Sequence, residues 1–167
     1  MLAIPSYAST SHVAPPVIWD LERFRIIARL EGHTGRVFSA RFVAGGDEIV
    51  TAGNDGTARR GDGSTGRLIQ TYHADSRFLA DATVSPDRLL VAAGDADGVL
   101  HFWDLTSGRP LWALKAHRSP VVGVHFDGND IVTRGLGGDV ARWTLPTSDA
   151  IIEECGHRRE ACGTLAK

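Results

Sequence analysis

The chain has 167 residues, of which 43% are apolar and 23% charged, so it can bury a sizeable core and its composition does not indicate disorder. A formal net charge of −2 supplies no basic surface for nucleic acid or for a membrane, and we expect neither as a partner. No apolar run approaches the roughly 20 residues of a membrane-spanning helix. Two late cysteines, Cys155 and Cys162, make no disulfide framework, which predicts a reducing, cytoplasmic location.

The predicted elements begin after residues 1–16, which are small, polar and proline-bearing and are expected to form a flexible lead-in. Two strands are predicted next, over 17–21 and 25–30. Short β-rich runs then alternate with turns such as Asn54-Asp55-Gly56, which indicates antiparallel sheet. These runs predict three groups of strands: 37–42, 48–52, 57–60 and 67–72; 79–84, 89–93, 99–103 and 110–114; and 121–126, 130–133 and 140–143.

The third group lacks a fourth strand, because Leu145-Pro146 breaks the pattern where that strand should begin. Residues 146–167 form a tail in which the spacing of apolar side chains from Ile151 to Cys155 predicts a short helix. Cys155, His157 and Cys162 lie close together in this tail. A zinc site usually needs a fourth ligand, and none is near in the sequence, so we expect no metal.

The groups repeat at a fixed spacing. Asp20, Asp62 and Asp104 are 42 residues apart, and Trp19 and Trp103 precede the first and the last of them. Gly61 stands where the middle tryptophan is expected. A period of about 40–45 residues is typical of a β-propeller blade, a unit that cannot bury its apolar faces alone.

Three fragments in the correct order carry a resemblance to the WD-repeat β-propeller family: Leu30-Glu31-Gly32-His33, Asn54-Asp55-Gly56-Thr57 and Val99-Leu100-His101-Phe102-Trp103-Asp104. The resemblance covers about residues 17–145 and suggests a bacterial-type WD-repeat protein, partial or truncated. It implies an all-β partial propeller with a two-stranded partial blade at 17–30, four-stranded blades at about 31–72, 73–114 and 115–145, and a short C-terminal helix. Closed propellers have about 4–8 blades, so self-association to complete a ring is a hypothesis.

In that family a histidine, a hydroxyl residue, an aspartate and a tryptophan pin each blade through hydrogen bonds, and each repeat of this chain matches three of the four positions. Repeat one lacks the tryptophan at Gly61, repeat two the hydroxyl at Ala93, and repeat three the aspartate at Gly137. The matching residues, all given a structural role, are His33, Thr51 and Asp55; His73, Asp97 and Trp103; and His117, Thr133 and Trp143.

The resemblance implies a non-catalytic scaffold for protein–protein interaction. No nucleophile motif or phosphate-binding glycine loop is visible, so we expect no catalytic residue and no cofactor. The family's partner-binding face maps onto Phe38, Ala80 and Val122 on the inner strands and onto Asn54, Ala96 and Leu136 before the turns. Two alternatives remain open: an arm of a larger, kinase-associated bacterial signalling protein, and a truncated remnant without independent function.

The glycine at position 61 predicts a local weakness. Truncating a large aromatic side chain in a core costs about 3–5 kcal/mol, so the first repeat should open more readily near Gly61 than the second repeat opens near Trp103. Residue-resolved amide hydrogen exchange measures this difference. Exchange near Gly61 that is as slow as exchange near Trp103 would refute the expectation.

Overall fold

The computed structural model describes residues 2–4, 8–9, 12–148 and 150–152, and the architecture of these residues is all-β, which confirms the fold class expected from the sequence. The strands are β1 Leu2–Ile4, β2 Ala8–Ser9, β3 His12–Val13, β4 Val17–Asp20, β5 Arg25–Arg29, β6 Val37–Phe42, β7 Glu48–Gly53, β8 Thr57–Asp62, β9 Leu68–His73, β10 Leu79–Val84, β11 Leu90–Asp95, β12 Val99–Asp104, β13 Pro110–Lys115, β14 Val121–Asp127, β15 Asp130–Gly135 and β16 Val140–Thr144.

The strands form successive antiparallel sheets in sequence order. Blade 1 is β6-β7-β8-β9, blade 2 is β10-β11-β12-β13, and blade 3 is β14-β15-β16. The partial blade has the order β1-β4-β5, and β2 and β3 form a separate hairpin. The lead-in therefore contains strands where a flexible segment was expected, and β1 gives the partial blade a third strand by pairing with β4.

An aspartate ends the strands β4, β8 and β12 and orders the sharp turn that follows each of them. Asp62 accepts hydrogen bonds from the backbone and hydroxyl groups of Ser64 and Thr65, at 2.7 to 3.0 Å. These bonds, led by the one from the Ser64 hydroxyl, hold the pKa of Asp62 far below its ordinary value. Asp104 accepts in the same way from Ser107, and Asp20 from the backbone of Glu22 and Arg23. The 42-residue repeat of aspartates is thus a repeat of turns.

The last residue of this turn adopts a left-handed backbone. Gly66 and Gly108 have φ of 73° and 71°, which glycine tolerates without strain. At the equivalent place in the partial blade stands Phe24, with φ of 49° and a side chain that is 82% exposed. A bulky residue in this region is strained, so the partial blade keeps the turn at a cost.

Apolar clusters fill the space between neighbouring blades. Tyr72, from the outer strand of blade 1, packs against Trp103 of blade 2 with ring centroids 6.0 Å apart, and its hydroxyl donates to the Leu105 carbonyl at 2.7 Å. Phe102, on the opposite face of blade 2, belongs to the cluster that includes Ile131 of blade 3. Each blade interior is therefore buried only because its neighbours cover it.

One buried carboxylate also ties the inner strands together. Asp81 of β10 accepts from the Ser39 hydroxyl at 2.6 Å and from Arg41 at 2.9 Å, both on blade 1. Oδ2, the oxygen that Arg41 contacts at 2.9 Å, also accepts from the backbone N–H of Val124 on blade 3 at 2.9 Å. A single side chain in the middle blade thus connects three consecutive inner strands, and both oxygens of its carboxylate accept hydrogen bonds at short distance.

A helical turn follows the last strand. The backbone N–H of Ile151 donates to the Thr147 carbonyl at 3.1 Å, and Ile151 is buried in the cluster between blades 2 and 3. The tail beyond residue 152, with Cys155 and Cys162, lies outside the described residues, and so does most of the predicted helix.

Asp81 should contribute strongly to stability. Replacing Asp81 with alanine leaves the Val124 N–H and the Ser39 hydroxyl without an acceptor, which costs about 2–4 kcal/mol. For a chain of this size, that corresponds to a fall of roughly 5–12 °C in the melting temperature. Asp47→Ala, at an exposed turn, is the control and should leave the melting temperature within about 1–2 °C. Equal melting temperatures for the Asp81 and Asp47 variants would contradict the inter-blade role of Asp81.

Candidate functional site

Blade 1 brings together the three network residues matched in its repeat. His33 Nδ1 lies 2.9 Å from Asp55 Oδ2, and His33 Nε2 lies 2.8 Å from Thr51 Oγ1. Burial lowers the pKa of His33 and outweighs the opposing effect of the Asp55 carboxylate. The neutral ring therefore donates from Nδ1 to Asp55 and accepts at Nε2 from Thr51. Burial opposes ionisation of Asp55, but hydrogen bonds from Thr57, the Thr34 backbone and His33 outweigh it and lower its pKa.

The space left by the missing tryptophan of blade 1 is almost closed. The cavity beside Gly61 has a volume of about 10 Å³ and is lined by side chains that include Leu30, Ile49 and Leu68. A Cβ at Gly61 would lie 3.3 Å from the Arg67 carbonyl oxygen and 3.6 Å from Leu30 Cδ2. The strands and side chains around Gly61 pack closely, so an added indole would have no room without rearrangement.

Blade 2 differs from the arrangement expected. His73 is exposed at the end of β9, and only its backbone carbonyl takes part, accepting from Trp103 Nε1 at 3.2 Å. Counting 42 residues from His33 leads to Asp75, so His73 stands two positions too early to occupy the histidine site.

The carboxylate of blade 2 is also a different residue from the one expected. Asp97 is exposed, and Asp95, at the position of Gly53, is buried in its place. Asp95 accepts from the backbone of Asp97 and Val99 at 2.8 Å and lies 2.7 Å from His101 Nε2. The sequence indicated that Asp95 could take the place of Asp97 only by having both aspartates beside the same turn.

Blade 3 contains a complete chain of four side chains. Trp143 Nε1 donates to Thr133 Oγ1 at 3.0 Å, Thr133 Oγ1 lies 2.8 Å from His117 Nε2, and His117 Nδ1 contacts Asp139. Gly137 does lack a carboxylate, as the sequence indicated, but Asp139 two residues later supplies it. Asp139 lies 84 residues after Asp55, but the hairpin between β14 and β15 is two residues shorter than the one between β6 and β7. Strand pairing therefore places Asp139 at the position of Thr57, not at that of Asp55. All donors and acceptors in this chain match, so it is a structural network.

The six candidate partner-binding residues lie at the starts of inner strands and at the turns between second and third strands. Phe38 is 38% exposed, and its ring meets Phe78 edge to face with centroids 5.5 Å apart. The Arg36 guanidinium lies 5.6 Å from the Phe38 ring centroid. Leu136 is 66% exposed. The other four are Asn54, which is exposed, and Ala80, Ala96 and Val122, which are half-buried.

Within the described ranges, no group of three or more His, Cys, Asp or Glu side chains is placed to hold a metal ion. None of the helical residues that the structure describes belongs to a helix long and apolar enough to cross a bilayer.

The His33 network predicts a pH dependence of stability. Since the folded state lowers the pKa of His33, the unfolded chain binds a proton at higher pH, and stability is lost as pH falls below about 6.5. We expect the melting temperature to fall between about pH 7.5 and pH 5.5, and to fall less in His33→Gln. The exposed His73→Gln is the matched control and should keep the wild-type pH slope. An unchanged slope in His33→Gln would contradict the assignment.

Comparison with known proteins identifies the repeats. The family model described as WD domain, G-beta repeat, matches residues 24–59 and 66–104. The chain is 30% identical to Autophagy-related protein 16 of Arabidopsis thaliana over 133 residues, covering 76% of the chain and 26% of that protein. It is 28% identical to Pre-mRNA-processing factor 19 homolog 2 of the same plant over 157 residues, 88% of the chain and 29% of that protein. The chain therefore spans less than a third of the length of these relatives.

Solved structures show the same architecture. The computationally designed Ika4 protein matches with a TM-score of 0.69 and 23% identity, covering 80% of the chain and 81% of the Ika4 chain. A chain of the Mitotic Checkpoint Complex matches with a TM-score of 0.69 and 21% identity, covering 79% and 43%. The relatives named here are eukaryotic, so the expected bacterial type finds no support. Together, the repeat matches and the blade geometry support membership of the WD-repeat β-propeller family.

Proposed function

We propose that this chain is a non-catalytic scaffold that binds other proteins through the loop-bearing end of its blades. WD-repeat relatives support a protein-interaction role in general. The observation that carries the proposal for this chain is the contact between the exposed Phe38, at the start of β6, and the half-buried Phe78, with Arg36 beside Phe38. Aromatic and arginine side chains are the residues most often found at energetic centres of protein interfaces.

The absence of catalysis is part of the proposal. The groupings that most resemble a catalytic site are His33–Asp55–Thr51 and His117–Asp139–Thr133. In both, the two ring nitrogens of the histidine are already occupied by blade residues, and the hydroxyl is buried. A nucleophile and its base must be able to reach a substrate, and these cannot without opening the blade.

The partner-binding residues extend this surface over three blades. Phe38 and Asn54 lie on blade 1, Ala80 and Ala96 on blade 2, and the remaining two, Val122 and Leu136, on blade 3. Small residues on the middle blade would leave room for a partner side chain, and the exposed Leu136 would provide a second apolar anchor. We place the chain in the cytoplasm, because its two late cysteines make no disulfide framework, and we expect no cofactor. Since its net charge is close to neutral, we expect neither nucleic acid nor a membrane as ligand.

Self-association to complete a ring is a separate hypothesis. In its favour, β16 has no neighbour on its outer edge among the described strands, and unpaired edges favour association. The charged side chains of Asp127, Asp130 and Arg142 on blade 3 oppose it. The alternatives of a kinase-associated arm or a remnant have no observation in their favour.

Affinity capture with quantitative mass spectrometry tests the scaffold proposal. Proteins that co-purify with the chain from an extract of its source cells are compared between wild type and the double variant Phe38→Asp, Leu136→Asp. We expect a loss of at least about fivefold, because a charge at a hot-spot position costs more than about 1 kcal/mol. Ile69→Asp is the control, since Ile69 is also 38% exposed but lies on the outer strand β9. Unchanged capture by the double variant, or an equal loss with Ile69→Asp, would count against the proposal.

A further inference from the structure

The three blades can be compared position by position on the face that each turns toward the following blade, here called the forward face. Cross-strand pairs fix the equivalence: Val50 pairs with Arg60 in blade 1, Ala92 with Phe102 in blade 2, and Val132 with Arg142 in blade 3. Three equivalent sets on the forward face then follow by spacing: Glu48, Ala52 and Arg60; Leu90, Gly94 and Phe102; Asp130, Arg134 and Arg142.

Inside the arc, the middle position of each set must be small, because the next inner strand lies directly against it. Ala52 is completely buried under blade 2. At Gly94, a Cβ would lie 2.4 Å from Val121 Cγ1 and 2.9 Å from the Val121 carbonyl oxygen on blade 3. Contacts this short are not tolerated, so blade 3 could not pack as it does on any larger residue. In blade 3 itself, this position is Arg134.

Arg134 stands at the position against which a following inner strand would pack. Its side chain packs across Gly123 on β14, where an added Cβ would lie 3.4 Å from both Cβ and Nε of Arg134. Gly123 stands at the position of Ser39 in blade 1 and Asp81 in blade 2, the residues that reach forward to the next blade. Blade 3 therefore lacks the side chain that would hydrogen-bond to a following blade, and the long charged side chain of Arg134 lies over that position.

The outer positions of the forward face also differ between the blades: they are more exposed in blade 3 than in blades 1 and 2. In blade 2, Leu90 and Phe102 are buried apolar residues between blades. In blade 1, Glu48 and Arg60 form an ion pair at 3.3 Å that blade 2 covers while contributing a second cation, Arg88, at 2.8 Å from Glu48.

In blade 3, one guanidinium lies between two carboxylates at the outer positions. Arg142 donates to Asp130 at 2.7 Å and to Asp127 at 2.5 Å, and the side chains of Arg142 and Asp127 are more than half exposed. Hydrogen bonds from Arg142 lower the pKa of Asp130, so the Asp130 carboxyl is ionised at neutral pH. Covering this network with an apolar surface would bury a net negative charge without a partner, at a large desolvation cost.

We infer that blade 3 is an end cap: its forward face blocks a further blade from packing as blades pack inside the arc. Steric exclusion by Arg134 and the desolvation cost of the Asp127–Arg142–Asp130 network act together. The same face also disfavours packing against the partial blade of a second copy. The partial blade would present Trp19 and would supply no cation like Arg88, which blade 2 contributes from the turn between its first two strands. The charged positions of the forward face thus disfavour growth of the arc into rings or fibres. This inference does not depend on the proposed scaffold function.

Light scattering coupled to size-exclusion chromatography of the full chain tests the end cap. The wild type should keep a monomer mass over about a hundredfold range of concentration. The triple variant Asp130→Leu, Arg134→Gly, Arg142→Phe, which gives blade 3 the forward face of blade 2, should self-associate, with a mass that roughly doubles or more at the highest concentration. The control variant Arg23→Gly, Asp47→Leu, Arg67→Phe makes the same kinds of change at exposed turns and should stay monomeric.

A second variant keeps the test decisive if the first does not give the wild-type circular dichroism spectrum. Asp130→Asn, Arg134→Ala, Arg142→Met removes the same charges with less apolar bulk and should also self-associate. A wild-type chain that forms a dimer overturns the end cap, and so does a folded variant of either kind that remains monomeric. Association of the control to the same extent would show that any added apolar surface suffices, which also overturns it.

Discussion

The structure depends on the packing of one blade against the next. A four-stranded blade has two apolar faces and no interior of its own, so a residue such as Trp103 is buried only because Tyr72 of the preceding blade lies against it. Position within the arc therefore determines the environment of each residue. The middle blade is covered on both faces, and the forward face of blade 3 has no covering among the described residues.

The buried polar residues within the arc have structural roles. The chain from Trp143 through Thr133 and His117 to Asp139 satisfies every donor in it, and the repeated aspartates order turns. Asp81 accepts hydrogen bonds from both neighbouring blades and so links them. The histidine, aspartate and threonine side chains that could suggest a catalytic site are engaged in hydrogen bonds that stabilise the sheets. The surface loops are therefore the region where this chain can differ from other members of its family.

The fold could be predicted from the sequence to a large extent, because blade strands follow a period that survives substitution of individual residues. The networks could be predicted only in part, since a carboxylate can reach the same place from another position, as Asp139 does for Gly137 and Asp95 for Asp97. The pairing of β1 was not predictable, because its partner strand comes later in the chain and its own residues carry no alternation. The role proposed for Arg134 could not be predicted from the sequence, because only the structure shows that Val121 of the next blade lies against the equivalent position, Gly94.

The central claim is that each blade is stabilised by its neighbours, and residue-resolved hydrogen exchange under native conditions tests it most directly. The account predicts that amides of β11 and β12, in the doubly covered blade, open with the highest free energy, and that amides of β5 and β16 open with the lowest. The difference should amount to at least about 2 kcal/mol, or roughly thirtyfold in protection. Uniform protection across the three blades, or slower exchange at the ends than in the middle, would contradict it.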